Sequence, residues 1–246
     1  MRDKVNKTLK QTMEMTEKGE IEFALDMKIE RDAENGRLKI SQKAYIESIL
    51  RDFGELAPGV KDTPAPVDDI KDEGTHTREE EAEINSKPIR NIIGKLWWIA
   101  HQSRPDIYCA LHKCSLWQNK PNKKLWTHLL PIIQYLRGTQ NLGINFNSHT
   151  EKSQKEEFLV SFVDSSFASE SGNKSRHGYT FFFLGGLISW SSSCSKRVVL
   201  SSTEAECHGL VEAAKEAKWI RGFIKELCIF PPPSPCGNVP GQPVSD

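Results

Sequence analysis

The chain has 246 residues, 37% hydrophobic and 27% charged, enough for one large core or two modest ones and too polar for a membrane protein. Its 33 basic and 33 acidic side chains cancel, which argues against nucleic-acid binding by bulk charge and leaves a local basic groove open. The first twenty residues hold no apolar stretch of the signal-peptide kind, so a cytoplasmic or nuclear chain is expected, not a secreted one. The six cysteines form no C-x-x-C pair and no zinc-finger ladder, and they read as reduced, mostly buried thiols.

In chain order the pattern begins strand, strand, helix. A strand from Ile21 to Met27 leads toward Asn35-Gly36, a two-residue hairpin signal, and Arg37-Leu38-Lys39-Ile40 returns. Ser41 is placed to cap a helix with the apolar stripe Tyr45, Ile49, Leu50 and Phe53, ending at Gly54. Residues 63–87, rich in Pro, Asp and Glu, read as a solvated acidic linker.

Three helices follow. Ile89, Ile92, Ile93, Leu96, Trp97 and Ala100 repeat at helical spacing and stop before Pro105. Asp106 opens the next, with Ile107, Leu111 and Leu116 expected inside, and Leu125, Leu129, Ile132, Ile133 and Leu136 line the third up to Gly138. Trp97-Trp98 fits a core role or base stacking, and Trp97 lies on the apolar stripe.

After the polar stretch His149–Lys155, Phe158 to Val163 is apolar on both faces, which predicts a central strand. Tyr179 to Leu184, Gly185-Gly186 and Leu187 to Trp190 predict a tight hairpin, and a long helix is expected from Thr203 to Leu227. The segment from Pro231 holds six of the thirteen prolines and reads as a disordered tail.

Two carboxylates stand out. Asp164 closes the apolar strand, where it is solvated, paired or holding a metal. The expected buried stripe of the last helix is Leu210, Ala213, Ala217, Ile220, Ile224 and Leu227, and four residues back it reaches Glu206. Glu204 points away and has a capping role in Ser201-x-x-Glu204. Carboxylates converging from a strand and a helix suit a hard divalent cation, and a two-metal nuclease is built on such ligands.

Several phrases resemble the ribonuclease H region of Ty1/copia-type retrotransposon Pol polyproteins. They are Val163-Asp164-Ser165-Ser166-Phe167-Ala168, Ser175-x-x-Gly178-Tyr179, Phe183-Leu184-Gly185-Gly186, Ile188-Ser189-Trp190 and Leu200-Ser201-Ser202-Thr203-Glu204-Ala205-Glu206. Upstream, Ile40-Ser41-Gln42-Lys43, Ser103-Arg104-Pro105-Asp106-Ile107 and Leu136-Arg137-Gly138-Thr139 resemble the stretch of the same polyprotein after the polymerase catalytic strand. The matches run in family order over residues 14–227.

The resemblance implies an α+β chain with the following layout: a reverse-transcriptase palm tail and thumb start at 1–62, the linker at 63–87 and a helical thumb or connection at 88–147. A ribonuclease H-like domain with three antiparallel strands and a long helix takes 156–230, and the Pro-rich tail takes 231–246. It implies cleavage of the RNA strand of RNA–DNA hybrids with Mg²⁺, or Mn²⁺, held by Asp164 and Glu206 as catalytic metal ligands. Ser165, Lys174, Arg176, Lys196 and Arg197 are candidate nucleic-acid contacts, with Lys120, Lys123, Lys124 and His177 beside them.

The departures set a second expectation. The family carries a further catalytic Asp on a strand after the long helix, whereas here Cys228-Ile229-Phe230 runs into prolines. The polymerase Asp pair has no match, since Val67-Asp68-Asp69 sits in a Pro-containing acidic loop without a strand pattern. The domain is therefore expected to be truncated and its chemistry lost. The alternative is a non-catalytic nucleic-acid-binding or interaction module derived from the element.

Overall fold

The computed structural model of the chain describes residues 11, 13–14, 19–66, 70, 77–147, 159–170, 173–183 and 185–227. They form an α+β structure of antiparallel sheets and, among the described residues, six α-helices. Val67-Asp68-Asp69, the stretch His149–Lys155 and everything from Cys228 onward lie outside the described residues. Two compact units result, one from residues 1–158 with 183–187 and one from 159–182 with 188–246. No helix among the described residues is long and apolar enough to cross a membrane.

In the first unit the strand expected from Ile21 is interrupted, because Leu25 and Asp26 take left-handed backbone angles, φ 51° and 60°. A two-residue turn thus joins β1 (Phe23–Ala24) to β2 (Met27–Asp32), and positive φ at both positions matches the twist of a hairpin. Asn35-Gly36 instead belongs to a four-residue loop, since Asp32 pairs with Arg37 as β3 (Arg37–Ser41) returns. The Asp32 carboxylate holds that loop, accepting from the Asn35 backbone N–H at 3.1 Å and its side-chain amide at 2.7 Å. Leu25 is exposed and carries the steric cost of a left-handed φ, about 1–2 kcal/mol. Leu25→Asn is expected to raise unfolding stability by about 1 kcal/mol in a urea titration, and an unchanged midpoint would show a turn without strain.

A fourth strand that the sequence did not suggest, β4 (Gly143–Asn147), pairs with β3 from Ser41↔Gly143 to Arg37↔Asn147. Ile40 faces Ile144 and Leu38 faces Phe146, so a short Ile/Phe alternation with Asn was the missed signal. Helix α1 (Lys43–Phe53) starts after Gln42, and Ser41 is no cap because it ends β3 and is buried. Within the expected acidic linker stands a helix, α2 (Arg78–Ser86). Thr77 and Glu80 close a reciprocal capping box over it, and Ile84 is buried.

The expected helices are present as α3 (Ile89–Gln102), α4 (Tyr108–Ser115) and α5 (Lys123–Gly138). Their apolar stripes meet Ile46, Ile49 and Phe53 of α1 in a single core. Leu116 falls outside it and is exposed. Of the cysteines, Cys114 is buried and its thiol is pushed up to about 12 by that burial. Cys109 and Cys207 are exposed, against the expectation of mostly buried thiols.

Two of the recognised phrases lock onto each other. Arg104, 1% exposed, donates through Nε and Nη2 to the Asp106 carboxylate and through Nη1 and Nη2 to the Thr139 carbonyl and hydroxyl oxygens. Tyr135 donates to the same carboxylate at 2.8 Å. Arg137 donates to the Gly54 and Gly59 carbonyl oxygens at 2.6 and 2.9 Å, and Ser103 donates to Gln42 at 2.8 Å. These side chains tie the segments at Gly54, Gly59 and Thr139 to the helices by adding donors to their carbonyls.

In the second unit the sheet order is β5 (Leu159–Glu170), β6 (Lys174–Phe183), β7 (Gly186–Cys194). Among the described residues the strand predicted to be central therefore lies at an edge, and Phe162 is 60% exposed. Gly185 turns the hairpin at φ 81°. Helix α6 (Ser202–Glu226) covers one face of the sheet, with Val163, Tyr179 and Phe181 against Ala213, Ala217, Ile220 and Ile224. The other face carries Phe162 and Phe182, whose rings meet edge to face at 5.9 Å.

The packed stripe of α6 also differs from the expected one. Ala205, Gly209, Ala213 and Ile220 are buried, whereas Leu210 and Leu227 are exposed. An added Cβ at Gly209 would stand 2.5 Å from Ser165 Oγ and 3.4 Å from Val163, so the helix rides too close to β5 for a larger side chain. Close approach selects Gly and Ala at the contact line and turns leucines to the flank.

Candidate functional site

Asp164 lies on β5 between Val163 and Ser165, both of which face Gly209 of α6. Strand alternation therefore turns the Asp164 carboxylate to the face away from the helix, and it is exposed. Glu206 stands in the first turns of α6, one step round from buried Ala205, and is likewise exposed at the rim of the packed face. It precedes buried Gly209 and Ala213 by three and seven residues, so it shares their line on the helix and is exposed there at the helix start.

Glu204 does cap, though not in the reciprocal form. Its N–H donates to Ser201 Oγ at 3.1 Å, while its carboxylate accepts from the Leu200 N–H at 2.7 Å. Two exposed carboxylates make a weak ligand set for a hard dication that prefers six oxygens. Among the described residues no group of three or more His, Cys, Asp or Glu is placed to hold a metal. The described residues therefore do not fit a closed two-metal centre.

A polar cluster that the sequence reading passed over lies between helix and sheet. His177 of β6 and His208 of α6 approach to 4.9 Å between ring centroids, and His177 Nε2 is 2.9 Å from Ser193 Oγ of β7. Burial pushes the His177 pKa down, and the neighbouring His208 adds to that, while Glu212 opposes it. Glu212 is held below the ordinary carboxylate range by its hydrogen bond from Lys215, with a smaller contribution from the two imidazoles. Ser189 of β7 donates to Glu216 at 2.7 Å, a second tie between sheet and helix. The i, i+4 pair His208-x-x-x-Glu212 was the available signal.

The candidate nucleic-acid contacts separate. The Ser165 hydroxyl is buried against the helix with no partner among the described residues. Arg176 is 8% exposed and donates to Ser192 at 3.3 Å, a place that serves packing better than a phosphate. Lys174 is half-buried, and Lys196 and Arg197 are exposed after β7. In the first unit Lys120 and Lys123 are exposed and Lys124 is half-buried.

Over 227 residues, 91% of its length, the chain is 32% identical to the retrovirus-related Pol polyprotein from transposon TNT 1-94 of Nicotiana tabacum. Over 154 residues, 61% of the chain, it is 33% identical to the retrovirus-related Pol polyprotein from transposon RE2 of Arabidopsis thaliana. It spans 17% and 10% of the length of those two relatives. It is also 33% identical over 139 residues, 56% of the chain, to secreted RxLR effector protein 161 of Plasmopara viticola, covering 94% of that protein. No protein-family model matches the chain, and no solved structure does. With its phrases collinear over most of its length, the chain belongs to the Ty1/copia-type retrotransposon Pol polyproteins.

Proposed function

We propose that the chain is the part of a Pol polyprotein that runs from the reverse-transcriptase thumb or connection into a ribonuclease H-like domain. Its ancestral chemistry is two-metal cleavage of RNA in RNA–DNA hybrids, with Asp164 and Glu206 as the inherited ligands. As this chain it has lost that cleavage. The observation that supports the reading is the second unit itself, an antiparallel β5-β6-β7 sheet followed by a long helix packed on one of its faces, with Asp164 on the first strand and Glu206 in the first turns of the helix. The loss of chemistry rests on the thin ligand set, since two carboxylates seldom retain a pair of dications.

The test is a labelled RNA–DNA hybrid incubated with the purified chain in Mg²⁺ and in Mn²⁺, beside Asp164→Asn. The expected result is no product above background from either protein. Product from the parent chain that disappears in Asp164→Asn would show that a further group completes the site, and the inactive reading would be wrong.

A non-catalytic binding module is the second reading, favoured by charge placement. From Lys87 to Asn147 the sequence carries nine Lys and Arg residues and one acid, Asp106, so neutrality of the whole chain hides a basic segment.

A further inference from the structure

The basic segment also carries an aromatic cluster on one side of α3 and α4. Trp97 stacks on His101 at 4.9 Å between centroids and 24° between planes. Tyr108 meets both rings edge-on, at 5.0 Å from Trp97 and 5.2 Å from His101, and His112 closes the cluster at 6.4 Å from Trp97. Trp97, Tyr108 and His112 are half-buried, and His101 is exposed, so the stack begins in the core and ends at the surface.

The line of α3 that carries the indole also carries a cation. Arg90, Gly94, Trp97 and His101 follow one line along α3 at steps of four, three and four. A Cβ at Gly94 would meet nothing within 4 Å, which leaves open backbone beside the indole, and Arg90 is exposed at the far end of the line. Neither α3 nor α4 contains an acidic residue, and Lys113 follows His112. Packing of one ring face on Trp97 leaves His101 partly desolvated, which lowers its pKa from the ordinary histidine value, while the rest of the ring is exposed.

We propose that this cluster is a stacking platform for unpaired nucleobases, with Arg90, on the same line of α3, meeting the phosphates of a single-stranded nucleic acid. Charge complementarity selects a polyanion, and the exposed end of an aromatic stack selects one whose bases are free to lie on it. A duplex hides its base faces and gains only the electrostatic part. The proposal deepens the nucleic-acid-binding reading and rests on it, while owing nothing to Asp164 or Glu206.

Fluorescence anisotropy of a labelled oligothymidylate and of a labelled duplex, titrated with the full chain, tests it. The His101→Ala/Tyr108→Leu variant is expected to lose roughly tenfold in affinity for the single strand while its duplex affinity stays the same. Lys123→Glu, away from the platform, is expected to weaken both ligands alike. Circular dichroism melts of the variants serve as the folding control, with His101→Ala alone as the milder substitution at an exposed position.

Unchanged single-strand affinity in the double variant would overturn the platform and leave the nucleic-acid reading standing. So would equal losses on single strand and duplex, because stacking does not act on a duplex. Binding to neither ligand by the parent chain would sink the nucleic-acid reading and the platform with it.

Discussion

Arg104→Ala is expected to cost about 3–4 kcal/mol of unfolding free energy, the largest effect of any single polar substitution in the first unit. The guanidinium, 1% exposed, serves three partners at once: the Asp106 carboxylate, the Thr139 carbonyl and the Thr139 hydroxyl. It also lies 5.4 Å from the Tyr135 ring centroid. Truncation leaves the Thr139 carbonyl with only the Leu142 N–H, the Thr139 hydroxyl without its donor, and the Asp106 carboxylate with Tyr135 as its remaining side-chain donor. Arg104→Lys keeps the charge but lacks the planar fork, and about 2 kcal/mol of loss is expected. Urea titration followed by tryptophan fluorescence measures both, since Trp97, Trp98, Trp117 and Trp126 all belong to the first unit. A loss below about 1 kcal/mol for Arg104→Ala would mean that water replaces the guanidinium and that the clamp is not what holds these loops.

Gly209→Leu is expected to destabilise the second unit by about 3 kcal/mol through overpacking. The first added carbon already stands 2.5 Å from Ser165 Oγ, and the rest of a leucine would have to displace Val163 or His177. Gly209→Ala separates the causes. Its gain in helix propensity, about 1 kcal/mol, opposes the contact with a hydroxyl that can rotate. Ser165→Ala removes a buried hydroxyl with no partner among the described residues and is expected to stabilise by about 1 kcal/mol. The pair Ser165→Ala with Gly209→Ala should then exceed the sum of the singles, a coupling that a double-mutant cycle reads directly. Amide exchange along α6 reports the unit selectively. An unchanged exchange pattern in Gly209→Leu would show that helix and sheet are not in the contact described.

The same contact explains where sequence reasoning succeeded and where it slipped on the candidate site. Asp164 and Glu206 were recognisable as a strand carboxylate and a helix carboxylate because the phrases around them are dense and in order. Their orientation was not. The helical stripe was drawn through Leu210 and Leu227, the largest apolar side chains at plausible spacing, whereas the closest line of contact runs through Ala205, Gly209 and Ala213. Hydropathy rewards size, and a helix packed tightly on a strand rewards smallness.

The helices α3 and α5 were legible because their burial follows a local 3.6-residue repeat, which packing against almost any partner would preserve. The capping box of α2 was equally local, written in Thr77-x-x-Glu80, but its acidic exposed face read as a loop. Whether β5 is central or at an edge depends on which strands pair with it, and β4 exists because Gly143–Asn147 meets β3 across a hundred residues of sequence. The basic segment was present in the sequence and was concealed by averaging charge over the whole chain. By itself the sequence determined the described helices other than α2, and the family. Strand order, the Arg104 clamp, the aromatic stack and the direction of each carboxylate came only from tertiary structure, because each is a contact between residues that no local period brings together.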